Sequence, residues 1–274
     1  MRKSKLLWMT DLHLVEPGRP WPQNANPLQR LNAVLDELRD QHADADRLIL
    51  TGDLVQSGSA EAYEVLREAL RGFPVPYRLL VGNHDRRTNL REVFPDAPAV
   101  DGFLQSSEEL NGTRLIYLDT QAEDGHHGEL CPVRLAWLEA QLQSAGARPA
   151  LLFMHHPPMA IGVPPLDRLR LRDPDNALFQ LLRARSAPTQ LLFGHLHRNV
   201  SGLWAGHPFT VLESTHLPLV FDMSSDRLSR YPGPPGYGVI LLENGSVVIN
   251  AVQRHRGYQD LWPAHQPGSL TTGS

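Results

Sequence analysis

The apolar residues of this chain fall in short unbroken runs, each stopped by a polar turn. Leu6 to Thr10, Arg47 to Leu50, Tyr77 to Val81, Ala150 to Met154 and Gln190 to Phe193 are five such runs. They are too short for helices and read as buried strands. Between them the period changes. Leu28, Leu31, Leu35 and Leu38 recur at helical spacing within 28–39, and Ser59-Ala60-Glu61 opens a second helix that runs to about Leu70. Arg134 to Gln143 and Asn176 to Ala184 read as further helices. Strand, polar turn and helix repeated in that order predict an α/β architecture.

Other stretches have a different texture. Phe103-Leu104-Gln105 and Thr113 to Leu118 read as adjacent strands joined through Asn111-Gly112, a hairpin signal. Ala160 to Asp173 is irregular. Beyond about residue 200 the pattern is β-rich: Val200 to Trp204, Pro208 to Leu212, Leu219 to Asp222, Tyr237 to Leu242 and Val247 to Val252, punctuated by Gly and Pro. No internal repeat or low-complexity linker divides the chain. The expectation is one domain over residues 1–262 with two sheets, followed by a loose tail over 263–274.

Composition narrows the function classes. The chain has 274 residues, 41% hydrophobic and 20% charged, an ordinary globular balance. A net charge of −4 and the lack of a basic, aromatic-laced stripe argue against a nucleic-acid polymer as partner. Cys131 is the single cysteine, so no intramolecular disulfide forms. The apolar run after Met1-Arg2-Lys3 is too short for a signal-peptide core, and no window reaches membrane-spanning length, so a cytoplasmic location without a membrane partner is expected. The outlier is histidine, with 13 residues.

The five runs end in Asp11-Leu12-His13, Gly52-Asp53, Gly82-Asn83-His84-Asp85, His155-His156-Pro157-Pro158 and Gly194-His195-Leu196-His197. In neighbouring strands these ends lie along one edge, so the five groups of O and N donors converge on one crevice. Residues i and i+2 of an extended chain point to the same side, which lets Asp11 with His13, and His195 with His197, approach one metal cluster. Carboxylate, imidazole and amide oxygen without thiolate suit Mn, Fe, Co or Zn.

As an ordered set these motifs resemble the calcineurin-like metallophosphoesterases. Within them they are most similar to bacterial class III cyclic-nucleotide phosphodiesterases and the related glycerophosphodiesterase. The motifs span about residues 5 to 200, and Gly206-x-Pro208 with Ser214-Thr215 extends the likeness to about 216. The resemblance implies a four-layer αββα sandwich, two mixed sheets flanked by helices, with a di-metal site at the strand ends. It implies one ion on Asp11, His13 and His197, a second on Asn83, His155 and His195, and Asp53 bridging them. It places the first of the His155-His156 pair as the ligand; the residues alone do not separate the two.

The implied reaction is in-line attack on a small phosphodiester by a metal-bound hydroxide, with Asn83, His84 and His197 at the substrate. His84 is the proton donor to the leaving oxygen, and Asp85 either orients its ring or caps the next helix. Two divalent ions bring four positive charges; Asp11, Asp53 and a bridging hydroxide remove three, and the remainder suits an anionic ester. The rival readings are a phosphomonoesterase or protein phosphatase, kept open by Arg86 and Arg87, a nuclease, and a scaffold without catalysis. All the expected ligands are present, which argues against the last. Trp21, Arg168, Arg170 and Arg172 are candidate substrate contacts. His126 and His127 read as rim residues; His207, His216, His255 and His265 read as structural or exposed, with His216 nearest the site. The C-terminal β region is a candidate cap or contact between copies of the chain.

Overall fold

The computed structural model describes residues 3–21 and 25–254. The expectations for His255, His265 and the 263–274 tail lie outside the described residues. The elements in chain order are β1 (Ser4–Met9), α1 (Pro27–Gln41), β2 (Arg47–Thr51), α2 (Ala60–Ala69), β3 (Tyr77–Leu80), α3 (Arg87–Val93), β4 (Ser106–Leu110), β5 (Thr113–Tyr117) and β6 (Gly128–Glu129). They continue with α4 (Pro132–Ala145), β7 (Ala150–Met154), α5 (Pro164–Asp167), β8 (Leu171–Arg172), α6 (Ala177–Arg183), β9 (Thr189–Phe193), β10 (Val200–Trp204), β11 (His207–Val211), β12 (Gly236–Glu243) and β13 (Ser246–Gln253).

Two mixed sheets follow from the apolar runs. The first has the order β13-β12-β1-β2-β3, the second β10-β11-β9-β7-β5-β4. β1, β2 and β3 are parallel neighbours, and so are β5, β7 and β9. The two-residue periodicity of a strand then sorts side chains into layers. Leu7, Met9, Leu48 and Leu50 pack outward under Leu31, Leu35 and Leu38 of α1 and Tyr63 and Leu66 of α2. Leu152, Met154, Leu191 and Phe193 pack under Leu138 and Leu142 of α4 and Leu178 and Leu182 of α6. The alternate residues Leu6, Trp8, Ile49, Leu151, Phe153, Leu192 and Ile240 meet between the sheets. Strands with apolar residues on both faces give the unbroken runs of the sequence, and the result is the expected αββα sandwich.

The sheets are also joined by specific contacts. Trp8 is fully buried, meets Phe153 edge-on at 6.3 Å and donates its indole N–H to Thr51 Oγ1 at 2.9 Å. At the opposite end Glu108 of β4 accepts from Arg47 of β2 (2.6 and 2.9 Å), from Arg78 of β3 (3.3 Å) and from Tyr117 of β5 (2.9 Å).

Two sequence expectations move. Asn111-Gly112 does close a hairpin, with φ of 47° and 76°, as a type I′ turn requires. Its first arm, however, is Ser106–Leu110, paired in register with Thr113–Tyr117. Phe103 to Gln105 is a loop whose Leu104 N–H donates to the Asp119 carboxylate at 3.0 Å. The polar sequence of β4 concealed it, because an edge strand needs only one apolar face. Leu219 to Asp222 is likewise no strand; Leu219 makes a single bridge to Arg230. The irregular 160–173 segment holds the short α5 and β8.

Burial alone would raise the Glu108 carboxyl, but the Arg47 and Tyr117 hydrogen bonds and the Arg78 charge outweigh it and hold it below the ordinary value of 4.5. A carboxyl lowered in the folded state stabilises above its unfolded value and loses that contribution as pH falls through the folded value. Glu108→Gln is therefore expected to lower stability at neutral pH and to flatten the loss below 4.5. Urea unfolding midpoints across pH 3 to 7 measure both; an unchanged acid slope refutes the inter-sheet role of Glu108.

Candidate metal centre

The carboxyl ends of β1, β2, β3, β7 and β9 lie at one edge, and the residues after them form one buried cluster. Asp11, His13, Asp53 and His197 present donor atoms that all lie within 4.8 Å of one another, and so do His155, His156 and His195. Every one of these seven residues is buried. His13 Nε2 and His197 Nε2 are 3.0 Å apart, and His197 Nε2 is 3.3 Å from Asp11 Oδ1. Asp53 Oδ2 lies 3.5 Å from His155 Nε2, 3.8 Å from His13 Nε2 and 4.0 Å from His84 Nε2. Asn83 Oδ1 faces His155 Nε2 at 3.3 Å.

The backbone that carries these groups is under local constraint. Asp11, His13, Asp53, His195 and His197 all have positive φ, between 48° and 70°. Each such residue costs on the order of 1 kcal/mol, so surrounding bonds must hold the turns. Asp11 and His13 donate their N–H groups to Gly52 O and Asp53 O, each at 3.0 Å, which continues the β1–β2 pairing past the strands. Ser214 Oγ donates to Asp11 O at 2.8 Å and Thr215 N to Thr10 O at 3.0 Å, so the Ser214-Thr215 motif buttresses the β1 turn. Gly82 is required by close approach: a Cβ there would lie 2.3 Å from Asp53 Oδ1 and 2.7 Å from His155 Cε1.

Second bonds fix the imidazoles. His155 Nδ1 donates to Thr51 O, His197 Nδ1 to Leu217 O and His84 Nδ1 to Gln56 O, all at 2.8 Å. Each bond turns the Nε2 atom of its ring toward the cluster. His156 is anchored differently, through a side chain: its Nδ1 sits 2.9 Å from Thr120 Oγ1, and its ring lies 4.7 Å from that of His195. Burial holds His13 well below the usual histidine value, helped by the neighbouring His197 charge. Burial and the His155 charge take His195 down to about 3. Burial also opposes a charge on His155, but the Asp53 carboxylate overcomes it and lifts that ring to about 9.

This donor set fits divalent cations. Imidazole nitrogens stand 3.0 Å apart beside two carboxylates, and the buried His13 Nδ1, His156 Nε2 and His195 Nε2 find no hydrogen-bond partner among the described residues. Buried polar atoms converging in this way are costly unless a partner such as a cation satisfies them.

Asp85 differs from its expected role. It touches neither the His84 ring nor the α3 cap, where Arg86 makes no side-chain bond. Its carboxylate instead accepts from Gly82 N (2.8 Å), Tyr63 OH (2.9 Å), Leu54 N (3.2 Å) and Val55 N (3.3 Å), which clamps the β3 turn to the β2 turn. Burial and the Asp53 charge raise it to about 7 despite these donors. Arg87 is also absorbed by structure, bidentate on the buried Asp119 carboxylate at 2.7 and 2.8 Å. Arg168 pairs with the exposed Asp226 of a different surface segment, and Arg170 donates to Asp167 O of its own; neither bond leads to the cluster.

Three contributors were missed. His126, read as a rim residue, holds Asn83 Nδ2 through its Nδ1 at 2.9 Å and stacks against His84 at 5.2 Å between centroids. Its place was illegible because the polar loop around it carries no periodicity. Burial lowers the half-buried Arg230 from its ordinary value, opposed by the charges of the Asp11 and Asp53 carboxylates. Gln121, after β5, donates to the carbonyls that flank the Asn83-His84 turn. His216 is near the site as expected, its ring 6.2 Å from that of His13, and His207 is structural, bonded to Leu182 O. Beyond Asn83, His84 and His126 a polar cavity of about 650 Å³ opens, with Gln56, Thr88 and Gln121 also in its wall.

Removing one donor from the Asp85 clamp tests its structural role. Tyr63→Phe leaves Arg86 N, which donates to Tyr63 OH at 2.8 Å, without its acceptor. The expected loss is about 1–3 kcal/mol, and Asp85→Ala, which strands three backbone N–H groups and the phenol, costs more. Urea unfolding of the ion-free protein measures the order; Asp85→Ala at or above wild-type stability contradicts the clamp.

Comparison with known proteins agrees with this geometry. The family model described as calcineurin-like phosphoesterase matches residues 4–199. The chain is 36% identical over 253 residues to a probable cyclic nucleotide phosphodiesterase of Rhodopseudomonas palustris, covering 90% of this chain and 91% of that protein. It is 31% identical to the 3′,5′-cyclic adenosine monophosphate phosphodiesterase CpdA of Escherichia coli K12, over 92% and 90% of the two chains. It is 29% identical to a probable glycerophosphodiester phosphodiesterase of Arcobacter nitrofigilis, over 83% and 84%. In fold it is similar to a dimetal phosphatase from Danio rerio, with a TM-score of 0.63, 13% identity and coverage of 91% and 98%. No helix among the described residues is long and apolar enough to cross a membrane. A match to the family model over most of the chain, with strand ends that bring histidines and aspartates into one buried cluster, shows that this chain belongs to the calcineurin-like phosphoesterases.

Proposed function

We propose that this chain hydrolyses small phosphodiesters, cyclic nucleotides or glycerophosphodiesters, at a centre of two divalent ions. Asp11, His13, Asp53 and His197 hold one ion, and Asn83, His155 and His195 hold the other with Asp53 shared. The observation that carries the reading is the position of Asp53: one buried carboxylate oxygen lies within 4.0 Å of an imidazole nitrogen of His13, His84 and His155. His155 rather than His156 belongs to the second site, because its Nε2 faces both Asp53 and Asn83. The relatives named as cyclic-nucleotide and glycerophosphodiester phosphodiesterases support the substrate class.

Divalent ions at such a centre lower the pKa of water and neutralise phosphoryl oxygens. The protein's own part is positioning and proton transfer. His84 keeps Nδ1–H on Gln56 O, so its protonated ring donates from Nε2 toward the leaving oxygen without losing its anchor. Asn83 is oriented by His126 on one side and His155 on the other, which points its carbonyl oxygen inward. Asn83 and His197 contact the phosphoryl group along with His84. The polar cavity past Asn83 and His84 takes the rest of the ester.

A second reading, phosphomonoester hydrolysis, has one observation in its favour: Arg230 lies within the electrostatic reach of Asp11 and Asp53 and would balance an extra phosphate charge. The same test separates the two. With Mn, turnover of bis-p-nitrophenyl phosphate is expected to exceed that of the monoester, and a panel of 3′,5′-cAMP, 2′,3′-cyclic nucleotides and glycerophosphoethanolamine identifies the preferred diester. His84→Ala is expected to lower kcat by about 10²–10³, and Asp53→Ala to bring diester turnover to background. A monoester preference, or full diester activity in Asp53→Ala, overturns the proposal.

A further inference from the structure

The end of β5 carries no metal donor, yet it is wired to the site. Gln121 Nε2 donates to Gly82 O at 2.8 Å and to Asp85 O at 2.6 Å. These two carbonyls bracket Asn83 and His84, and the Gly82 carbonyl belongs to the peptide plane that carries the Asn83 nitrogen. The bonds cross from the second sheet to the first. They complement the Asp85 clamp, which holds the same turn from within the first sheet.

Gln121 is itself immobilised. Its N–H donates to Asp119 Oδ1 at 3.0 Å, and its carbonyl accepts from Arg87 Nη2 at 2.6 Å and Arg134 Nη1 at 2.8 Å. Asp119 is fully buried, so it accepts from Arg87 as a rigid bidentate partner. Arg134 and Arg87 stack on the Phe103 ring at 4.6 and 5.3 Å. The side-chain amide therefore projects from a fixed base, with both bonds spent on one turn.

We infer that Gln121 is a positioning residue that sets the Asn83 turn, and through it the affinity of the Asn83 half of the centre for its ion. The Asp11–His13–His197 half hangs on β1 and β9 and meets that turn only through the shared Asp53, whose Oδ1 accepts from His84 N at 2.8 Å. The inference rests on the proposed assignment of Asn83 to the second ion. The mechanism is geometric: without the amide donors, the Gly82 carbonyl keeps only the Asp85 N–H at 3.3 Å and the Asp85–Arg86 peptide only its bond to Tyr63 OH at 2.8 Å, so the turn is held less firmly and the Asn83 oxygen loses part of its fixed direction. Gln121→Glu goes further, because a carboxylate faces two carbonyl oxygens and repels them.

The test is Mn(II) titration of the ion-free full chain, with bound metal counted by elemental analysis at each free concentration, for wild type, Gln121→Ala, Gln121→Glu and Asn83→Ala. Gln121→Ala is expected to weaken tenfold or more the same equivalent that Asn83→Ala weakens and to leave the other within twofold, with Gln121→Glu weaker still. Diester turnover of Gln121→Ala should recover at saturating Mn. A merely structural role would weaken both equivalents alike, and that result, or neither equivalent weakened, overturns the inference. If Asn83→Ala itself leaves both equivalents unchanged, the assignment of Asn83 falls and the inference falls with it. If Asn83→Ala weakens one and Gln121→Ala does not, only the role of Gln121 is refuted.

Discussion

The molecule is organised around a carboxylate that should not be comfortable where it is. Asp53 is buried and stands among the nitrogens of His13, His84 and His155. In a dry interior such a group is tolerated only with compensating charge and hydrogen bonds. His84 N donates to it at 2.8 Å, and the rest of the compensation has to come from cationic groups at the convergence of the strands. His155, lifted to about 9 by this carboxylate, supplies a proton in the ion-free protein; divalent ions supply more. The same demand explains why five donors adopt left-handed backbone: the turns are bent so that side chains from several strands reach one point.

Much of this was legible because strand length and ligand type coincide. Strands buried on both faces appear as unbroken apolar runs, so their ends are sharply marked, and Asp11, Asp53, Asn83, His155 and His195 follow directly. The limit of the reading is set by chemistry. Gln121 follows a sixth strand in the same edge, but a glutamine after a strand carries no metal signature, so the brace stayed hidden. Asp85 adjoins the candidate ligands in sequence and was read as a partner of His84 or a helix cap, yet three of its four donors, Leu54, Val55 and Tyr63, are distant in the chain. Long-range backbone donors leave no local pattern. The β4 strand was displaced for the converse reason: Ser106 to Leu110 is polar because it is an edge, and the apolar residues before it belong to a loop.

The division of the site between sheets sets what evolution can vary. The first sheet contributes Asp11, His13, Asp53, Asn83 and His84; the second contributes His155, His195 and His197. Among the described residues no strand pairing joins the two sheets, so their register depends on the side-chain packing and hydrogen bonds between them. Trp8 is central to that register: its ring meets Phe153 of the second sheet while its N–H is spent on Thr51, one residue before Gly52-Asp53. His155 Nδ1 reports to the carbonyl of the same Thr51. Thr51 thus touches the inter-sheet core through its hydroxyl and the candidate ligand His155 through its carbonyl. A shift of one sheet by a fraction of an ångström would misplace a candidate ligand from each half at once, so the packing between the layers holds the geometry of the strand-end turns.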